Sequence, residues 1–495
     1  MQERLATPPS PEVVQHLYGP RLEKQRDTLF KPMLAANFAH VVMLVRQGII
    51  TRPIATQLLE GLKSLAAEGP DAVNWDPNLE DMYYNLEVWL IMKIGIEAAG
   101  RLHTGRSRND LYATLSKMYV RERLIVAGLQ LTSLREAILT LAEENIETIV
   151  TGYTHLQPAQ PITLGHYLSA VAAALQREHV RLTAAYAATN QSSMGACALA
   201  GTSFPIDRAL VADLLGFDGV VENTLDAVAS RDYFGDALFA LAMAGTVLSR
   251  FATDLYQWCS FEYAYIELSD ATAGTSSIMP QKKNPFVLER VRSKVAHLDA
   301  ALLSALVCWK GVAFTHNQEI AGESEHMIDD AFDQFGAASE MMCGVVKGLK
   351  VNATRMRQAL DQNLAIVTDF ADALVQEGGL PFRVVHQVLG LAVRQTLEHA
   401  GSRLDGNAVL SVLKDKGICT SLSSDRLNIL ALPETAVKRR SHLGGPAPDE
   451  VRRQLTQHQE HLAADCQAWV DKRTHLSEAE KRLDSALEAV IYGQK

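Results

Sequence analysis

Cysteine, aromatic side chains and strand-forming patterns are all scarce in this sequence of 495 residues. The six cysteines (Cys197, Cys259, Cys308, Cys343, Cys419 and Cys466) lie far apart, and no CxxC occurs. That spacing argues against a structural zinc site, and no metal ligand set is expected. It fits reduced thiols in a cytoplasmic protein rather than a secreted, cross-linked one. No uninterrupted apolar run reaches the roughly 18 residues of a membrane span, so no membrane partner is expected. The opening stretch MQERLATPPSPEVV has neither the charged head nor the apolar core of a secretory signal. No block of lysine and arginine stands out against a net charge of -10, which removes nucleic acid from the expected partners. An acidic chain that handles an anionic substrate must gather its positive charge locally, in a pocket. Sustained alternation of β-branched residues is missing, as are Asn-Gly and Asp-Gly hairpin turns. Neither an internal repeat nor a low-complexity tract is present.

What is present is helix. The stretch Asn109–Asn145 contains no proline and one glycine. Its apolar residues Leu111, Leu115, Met118, Ile125 and Leu129 recur at helical spacing. At 1.5 Å per residue it predicts a helix of about 55 Å. Thr163–Ala188, Asp232–Ile266, Pro285–Trp309 and Glu325–Leu349 read the same way. Helices of this length pack side by side, so the expected fold is all-α around a central long-helix bundle. Stripes such as Leu238, Leu241 and Leu248 belong to its core. The length allows about two to four domains. Three zones separate: 1–106 with short helices and turns, 107–357 with the long helices, and 358–495 with shorter helices and turn clusters at Glu377–Pro381 and Gly444–Pro448. Thr7–Pro11 reads as an arm ahead of the first helix.

Three polar segments interrupt the helices: Gly105–Asp110 (GRSRND), Gly152–Pro161 (GYTHLQPAQP) and Gly274–Pro285 (GTSSIMPQKKNP). Polar turns at the ends of long helices are where a bundle can build a site. In the first, Ser107 and Asn109 suit a helix cap, whose free N–H groups favour an anion. Arg106 and Arg108 add fixed charge, although a cap with solvated arginines would look the same. In the second, Thr154 and His155 precede two prolines. Histidine is the natural acid or base near neutral pH, and equally a common structural residue. The third is the most specific: two serines, a lysine pair and an asparagine ahead of a helix-starting proline. Removing a proton beside a carboxylate sends negative charge onto that carboxylate. Such a step needs a base, donors around the oxygens and an acid for the departing group. Ser276, Lys282 with Asn284, and His155 fit these three tasks. Serine can act as the base only where a positive field and exclusion of water favour its alkoxide.

At these residues the sequence resembles the argininosuccinate lyase branch of the fumarase/aspartase superfamily. The resemblance spans most of the chain. It includes EDMYYNLE at Glu80–Glu87, AGRLHTGRSRNDLYAT at Ala99–Thr114, GYTHLQPAQP, ALAGTSFPIDR at Ala198–Arg208, LDAVASRDY at Leu225–Tyr233, GTSSIMPQKKNP, TDFADALV at Thr368–Val375 and VKRRSHLGG at Val437–Gly445. It implies an all-α homotetramer of three-domain subunits, with each active site drawing on three subunits. It also implies cleavage of an N-substituted aspartate, a small dicarboxylate substrate, to fumarate and an amine, without metal or organic cofactor. By the same resemblance Ser276 takes the C3 proton, while Lys282 and Asn284 hold the reacting carboxylate. Ser107, Arg108, Asn109 and Thr154 hold the succinyl carboxylates, and Ser277 and Met279 of the loop contact the substrate. His155, paired with Glu289, assists the leaving nitrogen.

The chain departs from the family pattern at particular places. Thr275 stands where the family has a glycine, Ala36 and Asn37 where it has Gly-Ser, and Tyr83 where it has a histidine. In Thr315–Glu325 (THNQEIAGESE), His316 replaces a tyrosine, Ala321 a glutamine and Ser324 a lysine. Those family groups sit toward the arginine end of the substrate. The fumarate-forming half is therefore expected to be intact and the amine-recognising half changed, with His316 lining it. The expectation is an aspartate adduct whose amine differs from arginine. The competing expectations are a true argininosuccinate lyase and, more remotely, a non-catalytic structural paralogue. GRSRND disfavours a fumarase.

Overall fold

Helix starts in this chain coincide with side chains that can accept from the first free N–H groups. Ser107 caps the helix Arg108–Glu144 in a capping box with Asp110, whose carboxylate accepts from Ser107 N at 2.9 Å. Thr163 Oγ1 accepts from His166 N at 3.1 Å and starts Leu164–Thr189. Asp81, Asn223, Asn352, Asp405 and Ser423 do the same for shorter helices. The computed structural model describes residues 7–399 and 401–493, with the side chains at 324 and 325 outside that set.

The long elements are α1 (Gly19–Arg46), α2 (Arg108–Glu144), the strands β1 (Ile149–Thr154) and β2 (Gln157–Thr163), α3 (Leu164–Thr189) and α4 (Asp232–Trp258). They continue with β3 (Gly274–Thr275), β4 (Lys283–Asn284), α5 (Phe286–Trp309), α6 (Glu323–Gly348) and α7 (Pro448–Tyr492). The fold is all-α, and the strands among the described residues form four two-stranded pairs. In the bundle α2 packs on α3 and α6, α4 on α3 and α5, and α5 on α6. Leu238, Leu241 and Leu248 are fully buried at its centre. Among the described residues three helices carry stretches apolar enough to cross a membrane by length and composition. Those stretches are 72%, 67% and 56% buried within the protein, which is where their apolar surface is used.

The described residues have three large apolar cores. The first is the bundle itself, which includes Trp469 of α7. The second joins α1 and the helices Arg52–Glu68 and Met82–Ile94 to Leu111, Leu115 and Met118 of α2, and takes in Leu483, Leu487 and Val490 near the end of α7. The third is built from Val367–Gln376, Phe382–Glu398, Gly406–Asp415 and Ser424–Leu430. Thus α7 leaves the third core behind and ties the first to the second. Its last carbonyls are held by Arg52, which donates to Val490 O at 2.8 Å and Ala489 O at 3.2 Å, a cation at a helix C-terminus.

The stretch Asp232–Ile266 is not one helix. It stops at Trp258, turns through Ala264 at φ +50°, and Ile266–Glu267 pairs with Lys350–Val351. Arg355 fixes that turn by donating to Tyr263 O and Glu262 O. Partners some 90 residues away thus override a helical pattern. GYTHLQPAQP is likewise not a plain turn but the tip of the β1–β2 hairpin, despite the lack of a glycine-type turn signal.

Candidate active site

The β1–β2 hairpin turns through two residues, His155 at φ +54° and Leu156 at φ +58°, between the paired Thr154 and Gln157. Two left-handed residues suit this two-residue turn, which normally takes Asn-Gly or Asp-Gly. Holding side-chain-bearing residues there costs on the order of 1–2 kcal/mol each. That strain places the His155 imidazole at an exposed tip. The ladder is irregular at Gly152, where a Cβ would lie 2.8 Å from Gln160 O, so only glycine fits. Thr154 and His155 border a cavity of about 540 Å³ that runs inward past Tyr153, Tyr167 and Trp258.

The loop between β3 and β4 carries Ser276 to Lys282. Gly274 is needed there for space, since a Cβ would sit 2.8 Å from the Phe286 ring. Ser276 Oγ accepts from Met279 N at 3.1 Å and Ile278 N at 3.4 Å. Two N–H donors on one hydroxyl oxygen favour negative charge on it. Lys282 N donates to Met279 O at 3.1 Å across a turn that contains Pro280. The lysine pair divides its work. Lys283 Nζ is bound by Glu267 and Asp270, each at 2.7 Å. Lys282 is exposed and has no carboxylate partner among the described residues. With Asn284 it lines a cavity of about 520 Å³, and Asn284 Nδ2 donates to Thr275 O at 3.5 Å. Thr275 thereby closes the foot of the loop. Ser277 and Met279 project from the loop, Met279 being 40% exposed. One turn into α5, Glu289 accepts from Tyr256 Oη at 3.1 Å.

At the start of α2, Arg108 donates to Glu80 at 2.9 Å and Asp81 at 2.8 Å and lies 4.3 Å from the centre of the Tyr84 ring. Asn109 Nδ2 donates to Ala198 O at 3.1 Å. Asp110 is wholly buried and accepts from Gly195 N and Cys197 N, both at 2.9 Å, as well as from Ser107 N. Burial pushes its carboxyl up to about 6, against the pull of those donors and of Arg106. Asp110 thus clamps the 195–198 segment to the helix start that presents Arg108 and Asn109. These two residues share a cavity of about 210 Å³ with His316, Arg21 and Arg231. Burial, then the charges of Arg231, Arg21 and Arg108, push the His316 imidazole down to about 4. Ala321 closes the same cavity without a polar group. The Ser324 side chain lies outside the described residues.

Within one chain these sets stay apart. Thr154 and His155 border one cavity, Lys282 and Asn284 a second, and Arg108, Asn109 and His316 a third. Ser107 serves as cap, and Ser276, Ser277, Met279 and Glu289 stand on the loop and the helix after it.

Comparison with known proteins decides the family. A family model described as "Lyase" matches residues 23–298, and one described as "Argininosuccinate lyase C-terminal" matches residues 364–427. Argininosuccinate lyase 1 of Shouchella clausii is 38% identical over 484 residues, 97% of each chain. The chain belongs to the argininosuccinate lyase family. The family's argininosuccinate lyase of Methanocaldococcus jannaschii is 37% identical over 434 residues, 88% of this chain and 89% of that one. Among solved structures, EDDS lyase in complex with formate superposes at a TM-score of 0.88 with 31% identity, covering 98% of this chain and 97% of that one. A 3-carboxy-cis,cis-muconate lactonizing enzyme from Pseudomonas putida shares the fold at a TM-score of 0.69 with 20% identity, covering 91% and 99%. As a member of the family the protein is a carbon–nitrogen lyase.

Sequence reasoning assigned no role to Arg21, Gln25 or Arg231 in the third cavity. Arg231 stands inside the motif LDAVASRDY, which offered a signal. Arg21 lies in a helix 87 residues before Arg108, and nothing in its neighbourhood marks it.

Proposed function

We propose that the protein releases fumarate from an N-substituted aspartate by anti β-elimination, reversibly, at sites assembled from several chains of a homotetramer. Ser276 removes the C3 proton, and the electron pair moves onto the adjacent carboxylate held by Lys282 and Asn284. The C2–N bond then breaks. His155, supported by Glu289, supplies a proton to the departing nitrogen. Ser107, Arg108, Asn109 and Thr154 hold the carboxylates, and Ser277 and Met279 cover the reacting carbons. The observation that carries this reading is the Ser276 hydroxyl with two backbone N–H donors on its oxygen, in a loop that leaves Lys282 without a counter-ion among the described residues. Water exclusion on loop closure strengthens both effects.

Two observations support assembly from several chains. The proposed groups border three separate cavities in one chain. Helix α5 also exposes Leu303, Leu306 and Val307 at 64%, 50% and 64%, an apolar stripe on a long helix. The enzyme uses an amine other than arginine, because His316 is neutral and Ala321 apolar at the wall that departs from the family pattern. The curated relatives named argininosuccinate lyase favour a second reading, arginine itself as the amine. Incubation with argininosuccinate, followed by fumarate absorbance, separates the two. Weak or absent turnover fits the first reading, and turnover at ordinary enzyme rates refutes it.

A further inference from the structure

The 210 Å³ cavity at the start of α2 holds more positive charge than its own carboxylates neutralise. Glu80 and Asp81 are both bound by Arg108. Arg21, on α1, has no carboxylate partner among the described residues, and its guanidinium lies 5.8 Å from the centre of the Tyr112 ring. Arg231 is 3% exposed; its Nη1 donates to Val228 O and Ser230 O, while its Nε has no acceptor among the described residues. A buried guanidinium without a counter-charge is costly, and guanidinium forks match a carboxylate. Among the described residues the other wall brings no positive charge: His316 is held neutral by burial and by these arginines, and its Nδ1 has no partner there. The cation that an anionic substituent would need therefore comes from the α1 side.

We propose that Arg21 is a specificity residue for the amine partner, receiving a carboxylate that this amine carries, with Arg231 and His316 as additional donors. The class of amine is then the amino acids, rather than simple monoamines or diamines. This rests on the lyase reading above and narrows it. The change in the Thr315–Glu325 wall moves the carboxylate contact to a different element instead of removing it.

The test follows loss of fumarate absorbance with matched pairs that differ only in the carboxylate: L-arginine and agmatine, L-lysine and cadaverine, L-ornithine and putrescine. For whichever pair the enzyme accepts, the amino acid should exceed its decarboxylated partner in kcat/KM by roughly 30-fold or more, the scale of losing one partner of a buried charge pair. Arg21→Gln should bring that ratio close to one. Arg21→Lys, which keeps the charge without the fork, should retain part of the preference. Equal use of both members by the native enzyme, or a ratio that survives Arg21→Gln, overturns the proposal alone. If no amine consumes fumarate while calorimetry still detects fumarate binding, the lyase reading itself fails and takes the proposal with it.

Discussion

Alanine in place of Gly128 should destabilise the protein although it sits in the middle of a helix. Helix propensity alone predicts a gain of about 1 kcal/mol for Gly→Ala at such a site. The packing predicts the opposite. A Cβ at Gly128 would lie 2.1 Å from Trp469 Cε2 and 2.4 Å from its Nε1. Ordinary carbon contacts are about 3.5–4.0 Å, so the indole must retreat by more than about 1 Å. It has nowhere to go. Trp469 is fully buried, its Nε1 donates to His179 Nδ1 at 3.0 Å, and it meets the His179 and Tyr186 rings edge-on at 5.6 and 6.0 Å. Overpacking costs about 1–3 kcal/mol, and losing the indole hydrogen bond adds about 1. After the propensity gain, the net is about 1–3 kcal/mol of destabilisation. Gly390 is the control: it lies on the exposed side of Phe382–Glu398, where a Cβ meets open space, so alanine there should stabilise by about 1 kcal/mol. Urea midpoints of the two variants should move in opposite directions. Trp469→Leu in the Gly128→Ala background should cost less than the sum of the single changes, because the two residues touch. A midpoint raised by Gly128→Ala, as by Gly390→Ala, would refute the packing argument.

Ser276→Ala should leave the fold intact and lower turnover by at least ~100-fold, the lower scale for a general base; turnover close to native would remove Ser276 from that role. Burial holds His40 well below its ordinary 6.5, and it pushes His103, beside Arg106, down to about 4. These imidazoles stay neutral in the native state while the unfolded chain takes up protons below pH 6.5. Stability should therefore be full above that pH and fall as pH drops toward 4, and His103→Asn should flatten the slope of urea midpoint against pH between 6.5 and 4. Asp110→Asn leaves one side-chain oxygen to accept from Gly195, Cys197 and Ser107; it should cost about 1–3 kcal/mol and raise KM for the dicarboxylate more than it lowers kcat, and an unchanged KM would count against the clamp.

The long helices were legible because one periodicity persists over many turns. Arg108–Glu144 and Phe286–Trp309 begin and end within a residue of the proline-free, apolar-periodic stretches. The hairpin at Gly152–Pro161 was not legible, because its turn is made by His155 and Leu156, residues that normally avoid the left-handed region. The end of α4 was hidden for another reason: what stops it is Arg355, nearly a hundred residues away. Of the candidate site, the motif residues could be named, and the resemblance implied that they come from different subunits, but not which cavity each one borders. Sequence motifs carry no information on which cavity a side chain enters, so the grouping of His316 with Arg108 and the presence of Arg21 beside them appear only in the folded chain.

The course of α7 bears on how the chain is made. Leu483, Leu487 and Val490 complete a core whose other members begin at Leu22. During synthesis that core stays open, with apolar surface exposed, until some 370 further residues have followed Met118 out of the ribosome. At about 5–20 residues per second the wait is roughly 20–75 s. Fusing a bulky tag after α7, or slowing translation in the last hundred codons, should then lower the yield of soluble protein without touching any residue of the active site. A helix that looks like an appendage in the sequence is the clasp that the first hundred residues wait for.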